Sequence, residues 1–412
     1  MEKILIIEDS VMMQKVIRHI AASELDCEFD IAADLAQAQA LIAKNNYFLA
    51  LADLHLPDAP NGEIVGHLVD ANIAIIVLTA SMDEKKRELV LKQGVIDYII
   101  KENRDSYFHA VKLANQLLHN KDLVVLLADD SKVLRAHIRW HLEKMLFKVV
   151  EVGDGLEAIK AFEQNPDIEL LITDFIMPHM NGIELIRSIR QSRTRDTFPI
   201  IGLSSSADPT LSAQFIKHGA NDFLATPFIH EEFQWRVLQT IEQVQLIKKI
   251  TDIANRDYLT KLFNRRYFFK VASRLHRAAI KQGSTLVLSL IDIDFFKSIN
   301  DNYGHDSGDA VLVQISELLM KYFRNFTVAR YGGEEFIVIM HDIEESECQQ
   351  ILERFRLKIA EHKFNTIDGQ LSVTVSLGAV SYQDETLDQL IKRADVALFA
   401  AKSAGRNKLI FS

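Results

Sequence analysis

Carboxylates recur in the first half of this chain at the ends of short apolar runs. Glu8 and Asp9 follow Leu5-Ile6-Ile7, and Asp129 and Asp130 follow Leu126-Leu127-Ala128. Asp53-Leu54-His55-Leu56-Pro57 is echoed, at the same spacing, by Asp174-Phe175-Ile176-Met177-Pro178. Thr79 and Lys101 come next in the first copy, Ser204 and Thr226 in the second; a short insertion near Gln191–Phe198 accounts for the drift. Converging carboxylates suit a hard divalent cation such as Mg²⁺. A central carboxylate beside that ion, with a hydroxyl and a lysine nearby, can attack a phosphoryl donor and keep the phosphate. Any one of these acids could simply cap the following helix, but five residues in order at strand ends argue for chemistry.

A different set occupies the last third. Thr285–Ile291 is a β-branched, apolar run ending in Asp292-Ile293-Asp294, with Phe295-Phe296-Lys297 opening the next helix. Thr327–Tyr331 and Phe336–Met340 flank Gly332-Gly333-Glu334-Glu335, which predicts a hairpin with a two-glycine turn. Asp292 and Glu334 are expected to face one another across neighbouring strands. Two carboxylates and a backbone carbonyl suit Mg²⁺ carrying a nucleoside triphosphate. The glycines let a ligand lie against the backbone, and the helix start offers N–H groups to phosphates, with Lys297 adding charge. Lys402 and Arg406, four apart on an expected C-terminal helix, would grip phosphates from one side. A Gly-Gly turn alone is more often just a hairpin. His137 and His141 stand at metal-ligand spacing, but with no third ligand nearby they are expected to be plain helix surface.

The elements that must position these groups follow from periodicity. Ile4–Ile7, Leu49–Ala52, Ile73–Leu78 and Tyr98–Ile100 are short enough and apolar enough for buried parallel strands, separated by helical segments such as Val11–Ala22 and Leu35–Lys44. That predicts a doubly wound α/β domain, repeated once, with its chemistry at the C-terminal strand ends. From Glu231 to Ala254 there is no Gly or Pro, and Phe233, Val237, Ile241, Val244, Ile247 and Ile250 line one helix face. Its first turns belong to the second α/β domain; the remainder has outrun such a domain and is expected to couple two chains. The expected division is 1–120, 121–240, a helical linker 241–254, and 255–412.

Composition narrows the setting. The chain has 412 residues, 48% hydrophobic and 25% charged, with net charge −10, which argues against nucleic acid or an anionic membrane as partner. Two distant cysteines, Cys27 and Cys348, give no disulfide framework and suggest a reducing compartment. No basic-then-apolar leader and no membrane-length apolar run are present, so the expected location is the cytoplasm.

The strand-end residues of both copies resemble the receiver domain of response regulators. The resemblance implies flavodoxin-like folds in which Glu8 and Asp9, and Asp129 and Asp130 in the second copy, hold Mg²⁺ with Asp53 beside them. Asp53 accepts phosphate from a cognate histidine kinase or phosphotransfer protein, Thr79 senses the phosphoryl group and Lys101 pairs with it. In the first copy the Leu54–Gly62 loop is one residue longer than usual and Glu102 replaces the customary proline. In the second copy Asp174 and Ser204 stand at the phosphoacceptor and switch positions, but Thr226 replaces the lysine, and a hydroxyl cannot supply its charge. Asp53 is therefore expected to be the working phosphoacceptor and the second copy an adaptor for dimerisation.

The last third carries Asp257-Tyr258-Leu259-Thr260, Asn264-Arg265-Arg266, Asp292–Asn300, Tyr303-Gly304-His305-Asp306, Gly308-Asp309, Arg330-Tyr331-Gly332-Gly333-Glu334-Glu335-Phe336, Asp395, Lys402 and Gly405-Arg406-Asn407. Together they resemble the GGDEF family in its GGEEF variant, an α+β, palm-like nucleotidyl cyclase; with two receivers ahead of it, the chain resembles PleD-type response regulators. The resemblance implies a diguanylate cyclase that condenses two GTP into cyclic di-GMP, releasing two pyrophosphates, as a homodimer joined through receivers and linker helix. It implies that Asp292, the Ile293 carbonyl and Glu334 bind metal, that Glu334 draws the 3′-hydroxyl proton, that Glu335 supports the metal and that Lys402 assists. Asn300 and Asp309 would read guanine, and a buried Asp309 left unpaired by adenine could give rejection of ~10⁴-fold. His305, Phe295 and Phe296 would shape the pocket, with core packing an equal reading for the two phenylalanines. Phe323 and Phe326 occupy positions where many family members carry Arg and Asp for product inhibition, so feedback there is expected to be weak. A silent GTP-binding scaffold, or a cyclase with other products, remain as rivals at this point.

Overall fold

The structure, a computed structural model, describes residues 2–80, 93–204 and 209–412. The chain divides into two compact units, Met1–Ile247 and Lys248–Ser412.

The first unit opens with β1 (Lys3–Ile7), α1 (Val11–Glu24), β2 (Glu28–Ala32), α2 (Leu35–Ile42), β3 (Leu49–Asp53), α3 (Glu63–Asp70), β4 (Ala74–Thr79), β5 (Asp97–Ile100) and α4 (Arg104–Asn120). The strands form a parallel sheet in the order β2-β1-β3-β4-β5. Every residue of β3 is buried, as parallel strands covered on both faces require. The strand order reverses between β1 and β3, where a crevice opens beyond the strand ends; Glu8 follows β1 and Asp53 ends β3. The capping alternative is answered locally. Ser10 Oγ, not an acid, accepts from Met13 N to cap α1, which leaves Glu8 and Asp9 for other work.

The same plan repeats as β6 (Val124–Ala128), α5 (Lys132–Lys144), β7 (Lys148–Val152), α6 (Gly155–Gln164), β8 (Ile168–Asp174), α7 (Gly182–Arg190), β9 (Ile200–Ser204), α8 (Pro209–Lys217) and β10 (Asp222–Ala225), with order β10-β9-β8-β6-β7. Then α9 (His230–Asn255) runs 26 residues without a break, one residue beyond the predicted span at each end. Phe233, Val237, Ile241 and Val244 are buried along its first half, and Phe233, Val237 and Ile241 share a core with Leu113 and Leu117 of α4. Lys112 Nζ lies 2.5 Å from Glu242 Oε1 across that contact. Ile250 and Ile253 are exposed, so the apolar stripe continues beyond the surface it packs on.

One expectation fails here. His141 is buried, and His230 of α9 supplies the third imidazole that local spacing could not reveal. His230 Nε2 is 3.2 Å from the Ile96 carbonyl, so that nitrogen donates; its Nδ1 then accepts from His141 Nδ1 at 2.8 Å, and His141 Nε2 accepts from His137 Nε2 at 3.3 Å. The three rings form a line of hydrogen bonds between the two α/β halves. Burial, with His230 and His137 adding to it, pushes the His141 pKa down to about 3.

The second unit comprises β11 (Phe263–Asn264), α10 (Arg265–Gln282), β12 (Leu286–Ile293), α11 (Phe296–Tyr322), β13 (Thr327–Arg330), β14 (Glu335–His341), α12 (Glu345–Glu361), β15 (Lys363–Thr366), β16 (Gly369–Ser372), β17 (Val375–Ser381), α13 (Leu387–Ser403) and β18 (Leu409–Phe411). Its main sheet is mixed, in the order β11-β13-β14-β12-β17-β18. Leu286, Leu288 and Leu290 of β12 face one core while Val287, Ile291 and Ile293 face the other. Covering on both faces is why this strand is a continuous apolar run rather than an alternating one. Exposure stays at 0–6% along its whole length up to Asp292 and Ile293, which the strand delivers to its end. Among the described residues, no helix is long and apolar enough to cross a membrane.

Candidate functional site

In the first receiver-like sheet, the carboxylates of Glu8, Asp9 and Asp53 lie within 4.8 Å of one another. Glu8 and Asp53 are buried, Asp9 is exposed, and Thr79 ends β4 without accessible surface. Lys101 follows β5 and bridges the acids, its Nζ 2.5 Å from Asp53 Oδ2 and 2.6 Å from Glu8 Oε2. Burial works against the ammonium charge, but hydrogen bonds to Asp53 and Glu8 outweigh it and raise the Lys101 pKa. Tyr107 was not foreseen: its hydroxyl donates to Glu8 Oε2 at 3.4 Å. Nothing local in the sequence marks it, because it lies on α4.

The second sheet places Asp129, Asp130, Asp174 and Ser204 at the matching strand ends, with Thr226 where Lys101 stands in the first. Asp129 Oδ2 is buried without a hydrogen-bond partner. Burial pushes the Asp129 carboxyl up to about 6, with Asp174 and Asp130 adding repulsion, and burial also raises Asp174. Arg135 donates to the Asp129 backbone carbonyl rather than to a carboxylate. Among the described residues, no lysine pairs with these acids as Lys101 pairs with Glu8 and Asp53.

In the second unit, Lys402 Nζ lies 2.8 Å from Asp292 Oδ2. Burial pushes the Asp292 carboxyl up to about 6; Lys402 opposes the shift, and Glu334 and Glu335 reinforce it. The residue directly across from Asp292 in the β12–β14 ladder is Glu335, not Glu334 as expected. Glu334 instead sits at the end of the hairpin loop, where its carbonyl accepts from Ile293 N at 3.3 Å. The reason is register: the loop spans Tyr331–Glu334, so pairing resumes at Glu335. Neither Gly332 nor Gly333 has a positive φ. A Cβ at Gly332 would meet only the flexible end of Glu335, with Oε2 at 2.9 Å, and Gly333 faces open space. Arg330 fastens the turn, donating to Gly333 O at 2.8 and 3.1 Å and pairing with Asp257 Oδ1 at 3.0 Å.

The helix start predicted after Asp294 is the start of α11 at Phe296. Phe295, its cap residue, has φ 58° and no side-chain capping bond, so the first N–H groups keep their hydrogen-bonding capacity. The two phenylalanines divide: Phe296 is buried in the core, whereas Phe295 is exposed with the Arg406 guanidinium 4.4 Å from its ring centroid. Arg406 is not on the C-terminal helix. α13 stops at Ser403, and Gly405 at φ 105° and Arg406 at φ 61° turn the chain, so Lys402 and Arg406 approach from different backbones. Lys297, His305 and Asp309 are exposed. Asp309 is thus not buried as foreseen, because it lies on the solvent side of α11. Asn300 Oδ1 is buried without a partner, and a Cβ on Gly308 would sit 1.9 Å from it; only glycine leaves that amide room. Phe323 is buried and packs edge-on against Phe355.

The sequence model described as "Response regulator receiver domain" matches residues 4–112 and 125–238. The one described as "Diguanylate cyclase, GGDEF domain" matches residues 254–408. The chain is a response regulator with a GGDEF diguanylate cyclase domain. Over 93% of both chains it is 27% identical to Response regulator PleD of Caulobacter vibrioides. Diguanylate cyclase A of Treponema denticola is 35% identical over 44% of this chain and 52% of its own. A solved two-component system response regulator/GGDEF domain protein is 39% identical across 60% of this chain and 100% of its own, with a TM-score of 0.56. The GGDEF domain implies GTP as substrate, and the receivers imply a phosphodonor upstream.

The acids of the diguanylate cyclase domain suit a bound cation on their own chemistry. Asp292, Glu334 and Glu335 bring negative charge to a buried strand end, and Lys402 is the one cation paired with Asp292 among the described residues. In the first receiver the Glu8, Asp9 and Asp53 oxygens already converge within 4.8 Å, which among the described residues the Asp292, Glu334 and Glu335 carboxylates do not.

Proposed function

We propose that this response regulator makes cyclic di-GMP as a homodimer in the cytoplasm, with phosphorylation of Asp53 raising the population of productive dimers. The observation that carries the catalytic part is the Asp292–Lys402 pair at the end of β12, beside an α11 start with no side-chain cap. Asp292, the Ile293 carbonyl and Glu334 would hold Mg²⁺, which supplies charge against the triphosphate oxygens. Lys402, Arg406, Lys297 and the first N–H groups of α11 bind and orient the phosphates. Asn300 and Asp309 accept from the guanine edge, Phe295 and His305 border the nucleotide, and Phe296 supports the pocket from the core.

Glu334 takes the proton from the 3′-hydroxyl, Glu335 would help hold the cation from across the ladder, and the oxygen of one nucleotide attacks the α-phosphorus of the other. Two new phosphodiester bonds form and two pyrophosphates leave. One domain offers one such cradle, so the second GTP must come on a second chain. The apolar residues Ile250 and Ile253, exposed on α9, are suited to hold the mates together.

The regulatory part rests on Lys101, which bridges Asp53 and Glu8, against the unpartnered Asp129 Oδ2 of the second receiver. The first receiver takes phosphate on Asp53, Glu8 and Asp9 would hold the Mg²⁺ that offsets the phosphoryl charge, and Thr79 with Lys101 reads it. Asp129, Asp130, Asp174 and Ser204 retain the outline of such a site in an adaptor. Cyclic di-GMP formation with and without beryllofluoride, alongside mass by light scattering, tests both parts. Higher activity with a larger dimer fraction is expected; equal activity and mass would reject the regulation.

A further inference from the structure

Asp294 lies two residues beyond Asp292 and is 4% exposed. Its Oδ1 accepts from Ser376 Oγ at 2.7 Å, and its Oδ2 accepts from Thr374 Oγ1 at 2.7 Å and from Asn407 N at 3.0 Å. Its own N–H donates to Thr374 O at 2.9 Å. The first two donors lie at the start of β17, Ser376 within it and Thr374 just before it, and could serve packing alone. The third belongs to the turn after α13, and that turn is strained.

Gly405, Arg406 and Asn407 have φ of 105°, 61° and 45° in succession. Two consecutive residues with side chains do not hold left-handed backbone unless their surroundings impose it. Asn407 is gripped from both sides: its N–H by Asp294, and its carbonyl and amide oxygens by Arg356 Nη1 at 3.0 and 2.7 Å. Arg406 N donates to Ala401 O at 3.1 Å. The Arg406 guanidinium makes no hydrogen bond or ion pair with a described residue; its contact is the face of Phe295. Phe295 directly follows Asp294 and is itself left-handed, at φ 58°. One buried carboxylate therefore ties together two neighbouring turns, and each turn carries one member of the Phe295–Arg406 stack.

We propose that Asp294 is a positioning residue for GTP binding, holding the Gly405–Asn407 turn so that the Arg406 guanidinium stands ready for the triphosphate. The inference rests on the reading of Arg406 as a phosphate ligand. Asparagine at position 294 keeps the size but offers one acceptor oxygen in place of two, and its NH₂ can accept from none of Ser376, Thr374 and Asn407.

Affinity for a non-reactive GTP analogue with Mg²⁺, measured by calorimetry on the full chain, tests this as a double-mutant cycle, with thermal unfolding alongside. D294N is expected to weaken the analogue ~10-fold in the parent and to have almost no further effect in an R406A background, because the residue it acts through is gone. N407G, which leaves Asp294 in place but frees the backbone, should show the same dependence on Arg406. Equal weakening by D294N with and without Arg406 would mean a general structural role and overturn the inference. So would undiminished affinity in D294N while R406A binds poorly. If R406A itself binds the analogue as tightly as the parent, the assignment of Arg406 to the phosphates falls, and the inference with it. Should D294N not fold, N407G decides by the same criteria.

Discussion

Lys402 Nζ stands 2.8 Å from Asp292 Oδ2, so a cation from the last helix of the domain neutralises the acid at the end of its central strand. The pair couples metal site and phosphate site, because Lys402 is the one described partner of Asp292 and also a phosphate ligand in the proposed mechanism. Lys402→Ala should lower kcat/KM for GTP on the order of 10²-fold, the scale for losing a charged group that stabilises developing charge. The thermal midpoint should move little, since Lys402 is half-exposed. Steady-state kinetics with a melting curve check this; an unchanged kcat/KM would remove Lys402 from the mechanism.

Phosphorylation should separate the two receivers. Acetyl phosphate is expected to modify the parent, Asp174→Asn to remain modifiable, and Asp53→Asn to be modified weakly or not at all. Lys101→Ala should still accept phosphate slowly but lose activation by beryllofluoride, because the bridge to Glu8 and Asp53 is what a phosphoryl group would displace. Intact mass spectrometry reads the first set and product formation the second. Modification confined to Asp174 would reverse the assignment of roles.

The imidazole line predicts a pH effect on the first unit. The His141 pKa is about 3 folded against about 6.5 unfolded. From pH 6.5 downward the unfolded chain therefore binds a proton that the folded one refuses, and stability falls by up to about 1.4 kcal/mol per pH unit. Asp97, raised to about 6 by burial, contributes in the opposite sense: its share is present at low pH and lost as pH rises through 6. Comparing parent with His141→Gln isolates the histidine. Urea unfolding at pH 7, 6 and 5 should show the parent losing stability faster than the variant; parallel curves would reject the neutral line.

Phe323 is buried against Phe355 and offers no polar group for binding product. Phe323→Ala should cost about 3–5 kcal/mol in the second unit, and cyclic di-GMP should bind the parent weakly at this place. Calorimetry checks the second point: tight binding abolished by Arg324→Ala would contradict it.

Much of this was legible in the sequence because it depends on short-range pattern. The repeated strand-end acids, the 231–254 helix and the GGEEF hairpin follow from apolar period and turn residues, and the structure places them within a residue or two. What escaped was set by tertiary register and by distant partners. Glu335 rather than Glu334 opposes Asp292 because a four-residue loop decides where pairing resumes. Arg406 leaves its helix because Gly405 turns the chain, although its spacing from Lys402 mimics one more helical turn. His230 completes a line with His137 and His141 from a separate helix, and Asp294 reaches Asn407 from the far end of the domain. No local window contains both members of such pairs.

Reaction of GTP at the strand-end acids beside the Gly332–Glu335 loop makes turnover depend on Glu334. The most direct measurement is cyclic di-GMP production from GTP and Mg²⁺ by the purified chain, followed chromatographically, for the parent and Glu334→Gln. Production by the parent and a fall of at least ~10²-fold in the variant, with the fold retained, is the expected result. Equal turnover by the two proteins would place the reaction elsewhere.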